Sequence, residues 1–189
     1  MSDRTPDHGF THLGDSLVHQ GYIWHLVTAQ FESPSGERFV RDIVRSPGAV
    51  GIVPISIDAS GRRTVTLLRQ YRPALDAELI EIPAGMRDVE GEPPELTAQR
   101  ELAEEIGRNA RQLELLTIFH NSAGMTNSTT HVFLATDLVE VPAKAHGPEE
   151  EAMSVLQLRF DEALALVASG EITDAKTVIG LLLAAQRLG

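Results

Sequence analysis

Apolar and polar positions alternate in short runs through the first half of the chain, and turn residues break the runs. That period predicts strands. Residues 22–31 and 38–45 flank Ser33-Pro34-Ser35-Gly36 and read as a hairpin. Residues 49–57 and 64–71 stand on either side of Asp58-Ala59-Ser60-Gly61, and a short strand at 78–82 leads into Pro83-Ala84-Gly85. Residues 1–17, rich in Asp, His and Gly, predict a loose leader.

The period changes at residue 93. Leu96, Leu102, Ala103 and Ile106 recur at helical spacing, with Gln99 interrupting the stripe. Pro93 and Pro94 suit a first turn that has no use for their missing N–H groups, and Gly107 suits the left-handed residue just past a helix. Strands follow at 113–120, 129–136 and 152–158. Helices at 160–169 and 174–188 close the chain, with Thr173 the expected N-cap of the second. Many strands, one helix, more strands and then helices read as α+β or a layered mixed sheet.

Composition narrows the class. The chain has 189 residues, 42% hydrophobic and 23% charged, which suits one packed domain with a small appendage. No apolar run reaches the roughly 18–20 residues that span a bilayer, so no membrane segment is expected, and the run at 178–185 reads as a core helix. MSDRTPDHGF is polar and does not resemble a signal peptide. The absence of cysteine excludes disulfides, thiolate metal sites and cysteine nucleophiles, and a cytoplasmic location is expected. A formal charge of −11 argues against a nucleic-acid surface. It also means that a phosphate substrate would need local positive charge, from arginines or from bound cations.

Arg100-Glu101-Leu102-Ala103-Glu104-Glu105-Ile106-Gly107 carries the candidate chemistry. Residues three and four apart share a helix face, which clusters Glu101, Glu104 and Glu105. A solvated acidic face is one reading. The other is a set of hard oxygen ligands for Mg²⁺ or Mn²⁺, whose charge would admit an anionic diphosphate. The seven histidines show no metal-ligand spacing, and His131, in a predicted strand, reads as structural.

Gly85, Glu92 and Arg100-Glu101-Leu102-x-Glu104-Glu105-x-Gly107 together resemble the Nudix box. Two departures stand out. Six residues separate Gly85 from Glu92 where five are usual, and Arg108 stands where an apolar residue closes the box. The first lengthens a loop; the second should weaken packing at the helix end. The resemblance implies an α+β Nudix fold, a mixed β-sheet sandwiched between helices with a small N-terminal β subdomain. Residues 1–17 would then be a flexible leader, 18–46 the dimerisation subdomain and 47–189 the hydrolase domain.

Within that family the chain looks most like the ADP-ribose and nucleoside-diphosphate-sugar pyrophosphatases, through 41–50, Arg69-Gln70-Tyr71-Arg72 and Glu81-Ile82-Pro83-Ala84-Gly85. By that likeness the enzyme is a homodimer whose adenosine-side pocket is completed across the interface. Glu101 and Glu105 are the main ligands of Mg²⁺, or of Mn²⁺, assisted by Glu104 and the Ala84 carbonyl. Arg100 orients the carboxylates and Glu92 braces it. Arg72 contacts the phosphates, against the reading of a strand-end surface cation, and Glu81 faces the terminal sugar, against that of a structural carboxylate. Gly85 lies at the substrate side. Trp24 stacks on a base or packs the hairpin.

The general base is less direct. Many relatives carry acids in a loop that here reads Ser122-Ala123-Gly124-Met125-Thr126-Asn127-Ser128. Asn127 and Ser128 cannot take a proton from water at neutral pH, and Ala123 replaces the proline associated with ADP-ribose. Relatives with asparagine here use a glutamate before the next strand. That points to Glu151, with Glu150 second, against a plain solvated acidic loop. Three functions are thereby expected in order. The first is hydrolysis of ADP-ribose to AMP and ribose 5-phosphate. The second is hydrolysis of another NDP-sugar such as GDP-mannose or ADP-glucose. The third is a non-catalytic nucleotide-binding module.

Overall fold

The computed structural model describes residues 8–142 and 152–189, and these fall into two compact units. The first comprises Met1–Pro47 with His120–Ser128; the second comprises Gly48–Phe119 with Thr129–Gly189.

The first unit is a three-stranded antiparallel sheet of β1 (Thr11–Gln20), β2 (His25–Glu32) and β3 (Arg38–Arg45), in that order. β1 replaces part of the expected leader. Nearly all of its residues are exposed, and register shifts fall between His12 and Gly14 and between Leu17 and His19. An edge strand with no buried face and two irregularities has no strict alternation to read. The loop at 120–128 is tied to β3. Val44 N–H donates to the Met125 carbonyl at 3.0 Å, Thr126 Oγ1 donates to the Val44 carbonyl at 2.7 Å, and Ser46 N–H donates to Asn127 Oδ1 at 3.0 Å. Asn127, which cannot serve as a base, uses its side-chain oxygen here to accept from the backbone N–H of Ser46.

The second unit is a seven-stranded mixed sheet. β10 (Ser154–Arg159), β5 (Arg63–Arg72), β4 (Ala49–Ile57), β9 (Thr129–Glu140) and β8 (Arg108–His120) lie in that order. β6 (Ala77–Glu81) pairs with β5, and the three-residue β7 (Ala84–Met86) pairs with β4. β4 and β9 run parallel, and both are buried on two faces. Their side chains divide by alternation. Val50, Ile52, Phe133 and Ala135 pack with Ala98 and Leu102 of helix α1 (Pro94–Ile106). Val53, Ile55, Val132 and Leu134 pack with residues of α2 (Phe160–Ser169) and α3 (Ala175–Leu188). The expected sandwich of sheet between helices is thus the core of this unit.

Several local expectations shift. Leu96 is 58% exposed and does not belong to the buried stripe of α1, which runs through Thr97, Ala98, Glu101, Leu102 and Glu105. Gln99, which interrupts the apolar stripe, has a docking role: its side chain accepts from Ala110 N–H at 2.9 Å and donates to the Ala110 carbonyl at 2.6 Å, joining α1 to β8. β8 starts directly after Gly107, whose φ of 62° is the left-handed cap the sequence predicts. Arg108 at the box's closing position turns outward to Glu140 at 2.9 Å. The cap of α3 is Asp174 rather than Thr173, with its carboxylate accepting from Thr177 N–H at 2.9 Å. No helix of the described residues is long and apolar enough to cross a membrane.

Candidate active site

The turn from β6 through Pro83 into β7 faces the polar side of α1, all within the second unit. Glu101 and Glu105 sit four residues apart on the inward face and are 7% and 8% exposed. Two carboxylates buried side by side are costly unless hydrogen-bonded or paired with cations. The local chain supplies both. Ala84 N–H donates to Glu105 Oε2 at 2.9 Å. Arg100 Nη1 lies 2.8 Å from Glu101 Oε1 and 3.1 Å from Glu104 Oε2, and its Nη2 lies 3.5 Å from both Glu92 Oε2 and Asp88 Oδ1. Thr97 Oγ1 donates to Glu92 Oε2 at 2.8 Å, holding the second layer. Burial disfavours the Arg100 cation, but Glu101, Glu104 and Glu92 outweigh it and hold its pKa above the ordinary value.

Gly85 explains itself here. A Cβ at this position would overlap the carboxylate of Glu101, so only glycine leaves room for it. Strand β7 and helix α1 therefore meet at a glycine and a glutamate that occupy adjoining space.

Among the described residues, no three His, Asp or Glu side chains converge into a ready-made cation cage. The donor chemistry nonetheless fits a hard divalent ion. Carboxylate oxygens are its preferred ligands, and Mg²⁺ characteristically takes one or two of them, completing its shell with water and substrate phosphates.

Arg72, at the end of β5, is engaged by Glu81 of β6. Its Nε and Nη2 each lie 2.6 Å from a Glu81 oxygen, a two-point pair. Glu81 is nearly fully buried and also meets Lys176 Nζ, whose other partner is Asp174 at 3.1 Å. Burial pushes the Glu81 pKa up, yet the hydrogen bonds and charges of Arg72 and Lys176 prevail and hold it below the ordinary 4.5. The Glu81 hydrogen bond raises the Arg72 pKa, with smaller contributions from the negative charges of Asp174 and Glu105. The field of Glu105 at Arg72 links this network to the carboxylate helix. Sequence reading missed Lys176 and Asp174. The signal was one apolar helix interrupted by a lysine in its first turn, where cations are disfavoured by the helix dipole.

Trp24 lies in the first unit, in the turn between β1 and β2, where its carbonyl accepts from Gly21 N–H at 2.8 Å. It is 57% exposed and, with Tyr22, Ile23, Leu26 and Val44, lines a cavity of about 430 Å³. Ala123 lines another cavity of that unit, of about 610 Å³, beside Phe31, Phe39 and Arg41. Arg41 stands over the Phe39 ring at 4.8 Å. His131 lies on β9, its pKa lowered first by burial and then by Arg87. Glu150 and Glu151, the expected bases, lie outside the described residues.

Comparison with known proteins agrees with this architecture. The NUDIX domain matches residues 45–178. The chain is 35% identical over 169 residues to an ADP-ribose pyrophosphatase of Bacillus subtilis (strain 168), covering 89% of each. It is 35% identical over 176 residues to an ADP-ribose pyrophosphatase of Mycobacterium tuberculosis (strain ATCC 25618 / H37Rv), covering 93% of this chain and 83% of that one. A crystal structure of an ADP compounds hydrolase matches with a TM-score of 0.79 at 23% identity over 95% of this chain and 94% of that one, a likeness of fold. A box-bearing helix in the matched segment and identity across most of both relatives lead to one conclusion: the chain belongs to the NUDIX family.

Proposed function

We propose that the chain hydrolyses the diphosphate linkage of a nucleoside diphosphate sugar, with ADP-ribose the first candidate and AMP and ribose 5-phosphate the products. The observation that carries this reading is the buried pair Glu101 and Glu105, held by Arg100 and Ala84 N–H against Gly85. Two relatives named ADP-ribose pyrophosphatase support the substrate class.

Nudix hydrolases generally use divalent metal ions. Here Glu101 and Glu105, assisted by Glu104 and the Ala84 carbonyl, would hold Mg²⁺, with Mn²⁺ as a substitute. When bound, the cations offset the negative charge that develops on the phosphate oxygens. Arg100 holds the carboxylates in place and Arg72 takes a phosphate oxygen of the substrate. A water attacks one phosphorus, the bond from that phosphorus to the bridging oxygen breaks, and the water's proton passes to Glu151, with Glu150 the second choice. Glu81, buried with both oxygens engaged by Arg72 and Lys176, orients Arg72 from beneath and takes the structural role rather than meeting the terminal sugar.

The same reading includes a cytoplasmic homodimer joined through the first unit. Leu13, Leu17, Val18, Tyr22 and Trp24 are all exposed there, an apolar set that a second copy would cover.

A panel of ADP-ribose, GDP-mannose and ADP-glucose, assayed with Mg²⁺ for phosphatase-releasable phosphate, tests the function. ADP-ribose is expected to turn over fastest. A faster GDP-mannose or ADP-glucose would move the assignment to another NDP-sugar, as Ala123 suggests. Tight nucleotide binding with no hydrolysis would make the chain a binding module.

A further inference from the structure

Arg72 and Glu81 pair side-on, through Nε and Nη2 at 2.6 Å each, so Nη1 stays outside the pair and has no protein partner among the described residues. About a third of the Arg72 side chain still reaches solvent, whereas Glu81 is almost wholly enclosed. One well-placed cation offsets a buried carboxylate, yet Lys176 also reaches Glu81 Oε2, the oxygen that Arg72 Nη2 already uses. Charge alone gives no reason for it. The lysine is itself held. Asp174 Oδ1 lies 3.1 Å from its ammonium, and Asp174 Oδ2 accepts from the backbone N–H and the hydroxyl of Thr177 at 2.9 and 2.6 Å. The Thr177 hydroxyl oxygen accepts in turn from Ile82 N–H at 2.9 Å. Glu81, Lys176, Asp174, Thr177 and Ile82 thus form a closed circuit that returns to the residue beside Glu81.

The circuit sets a direction rather than a charge. Two carboxylates and two cations balance, so the network as a whole has no net charge with which to draw an anion. An arginine facing a carboxylate can pair through Nε and one Nη, or end-on through both Nη atoms, and the end-on fork spends Nη1. A second donor on Oε2, anchored from the first turn of α3, holds the plane of the carboxylate and with it the side-on pair. We propose that Lys176 is a positioning residue: it locks Glu81, and through Glu81 it locks Arg72, so that Nη1 is aimed in one direction at a phosphate oxygen of the substrate. Arg72 keeps its pair with Glu81 throughout. The proposal rests on the nucleoside-diphosphate-sugar reading and adds to it the circuit of Lys176, Asp174 and Thr177.

The unmutated protein, Lys176→Met, Glu81→Gln and the double variant test it, each first checked for cooperative thermal unfolding. Arginine guanidinium signals in the NMR spectrum of isotope-labelled protein, assigned with Arg72→Lys, report rotation about the Arg72 Nε–Cζ bond. The unmutated protein should keep Nη1 and Nη2 of Arg72 as separate signals, and Lys176→Met should merge them. Signals already merged in the unmutated protein, or still separate in Lys176→Met, overturn the proposal. On ADP-ribose with Mg²⁺, Lys176→Met should lower kcat about tenfold with KM within about threefold, because a misdirected donor fails the transition state first. In the Glu81→Gln background the same change should alter kcat by less than about twofold. An unchanged kcat, a rise in KM alone, or an equal loss of kcat in both backgrounds overturns the proposal too. If Lys176→Met does not unfold cooperatively, Asp174→Asn takes its place: asparagine still caps the helix while the ammonium loses its charged anchor, and the same merging decides. If the unmutated enzyme hydrolyses no nucleotide sugar, the functional reading fails separately, and the Arg72 signals alone decide whether Lys176 holds that arginine.

Discussion

Gly85 and Glu101 share a space that holds one side chain: a Cβ on residue 85 would overlap the Glu101 carboxylate. Two consecutive elements, β7 and α1, are thereby brought into contact at the carboxylates of the helix. Gly85→Ala should displace that carboxylate. Overpacking costs of this kind run to about 1–3 kcal/mol, and kcat should fall by roughly 10² if the displaced group is a key electrostatic contributor. Circular dichroism, thermal unfolding and turnover on ADP-ribose check both halves; full activity in the alanine variant would show that Glu101 need not sit there.

Arg100 binds Glu101 and Glu104 through one nitrogen and reaches Glu92 and Asp88 with another. A lysine has no planar fork to span them. Arg100→Lys should weaken metal-dependent activity by about 10–100-fold, the usual scale for a group that orients metal ligands. The Mg²⁺ concentration for half-maximal rate should rise with it. A rate loss with no change in metal dependence would place Arg100 elsewhere in the reaction.

Stability against acid should report on Glu81. Its pKa in the folded protein lies below the ordinary 4.5, because Arg72 and Lys176 outweigh burial. A lowered folded pKa stabilises the protein above pH about 4.5 and is lost as pH falls from there through the folded value. Denaturant unfolding between pH 3 and 7 should therefore show a steeper acid limb for the unmutated protein than for Glu81→Gln. Parallel limbs would mean that the pair contributes nothing to pH-dependent stability.

For the base, Glu151→Gln should lower kcat by about 10²–10⁴, the usual share of general base catalysis. Metal dependence should stay within a few fold, since this residue is not assigned to the cation. Glu150→Gln should have the smaller effect, and the reverse order would exchange their roles.

How much of this was legible beforehand depends on what each residue answers to. The helix and its carboxylates were readable because Pro93, Pro94 and Gly107 mark its ends and Glu101, Glu104 and Glu105 follow its period. The strands β4 and β9 were readable because two buried faces leave nearly continuous apolar runs. β1 was not, since an exposed edge strand imposes no pattern. Leu96 misled because spacing gives a face without saying which side it meets, and the inward face here is largely polar. The partner of Lys176 was unreadable for a different reason, although its place in the first turn of an apolar helix was a local oddity. Its meaning comes from Glu81, 95 residues away, and no local rule connects a lysine in a helix turn to a carboxylate on a distant strand.

The claim beneath all of these is that carboxylates on α1 hold divalent cations against a diphosphate. The most direct measurement is ADP-ribose turnover as a function of Mg²⁺ for Glu105→Gln beside the unmutated enzyme. The account predicts a maximal rate lower by roughly 10² or more and a requirement for more Mg²⁺. A Glu105→Gln enzyme whose rate and Mg²⁺ dependence both match the unmutated protein would contradict it.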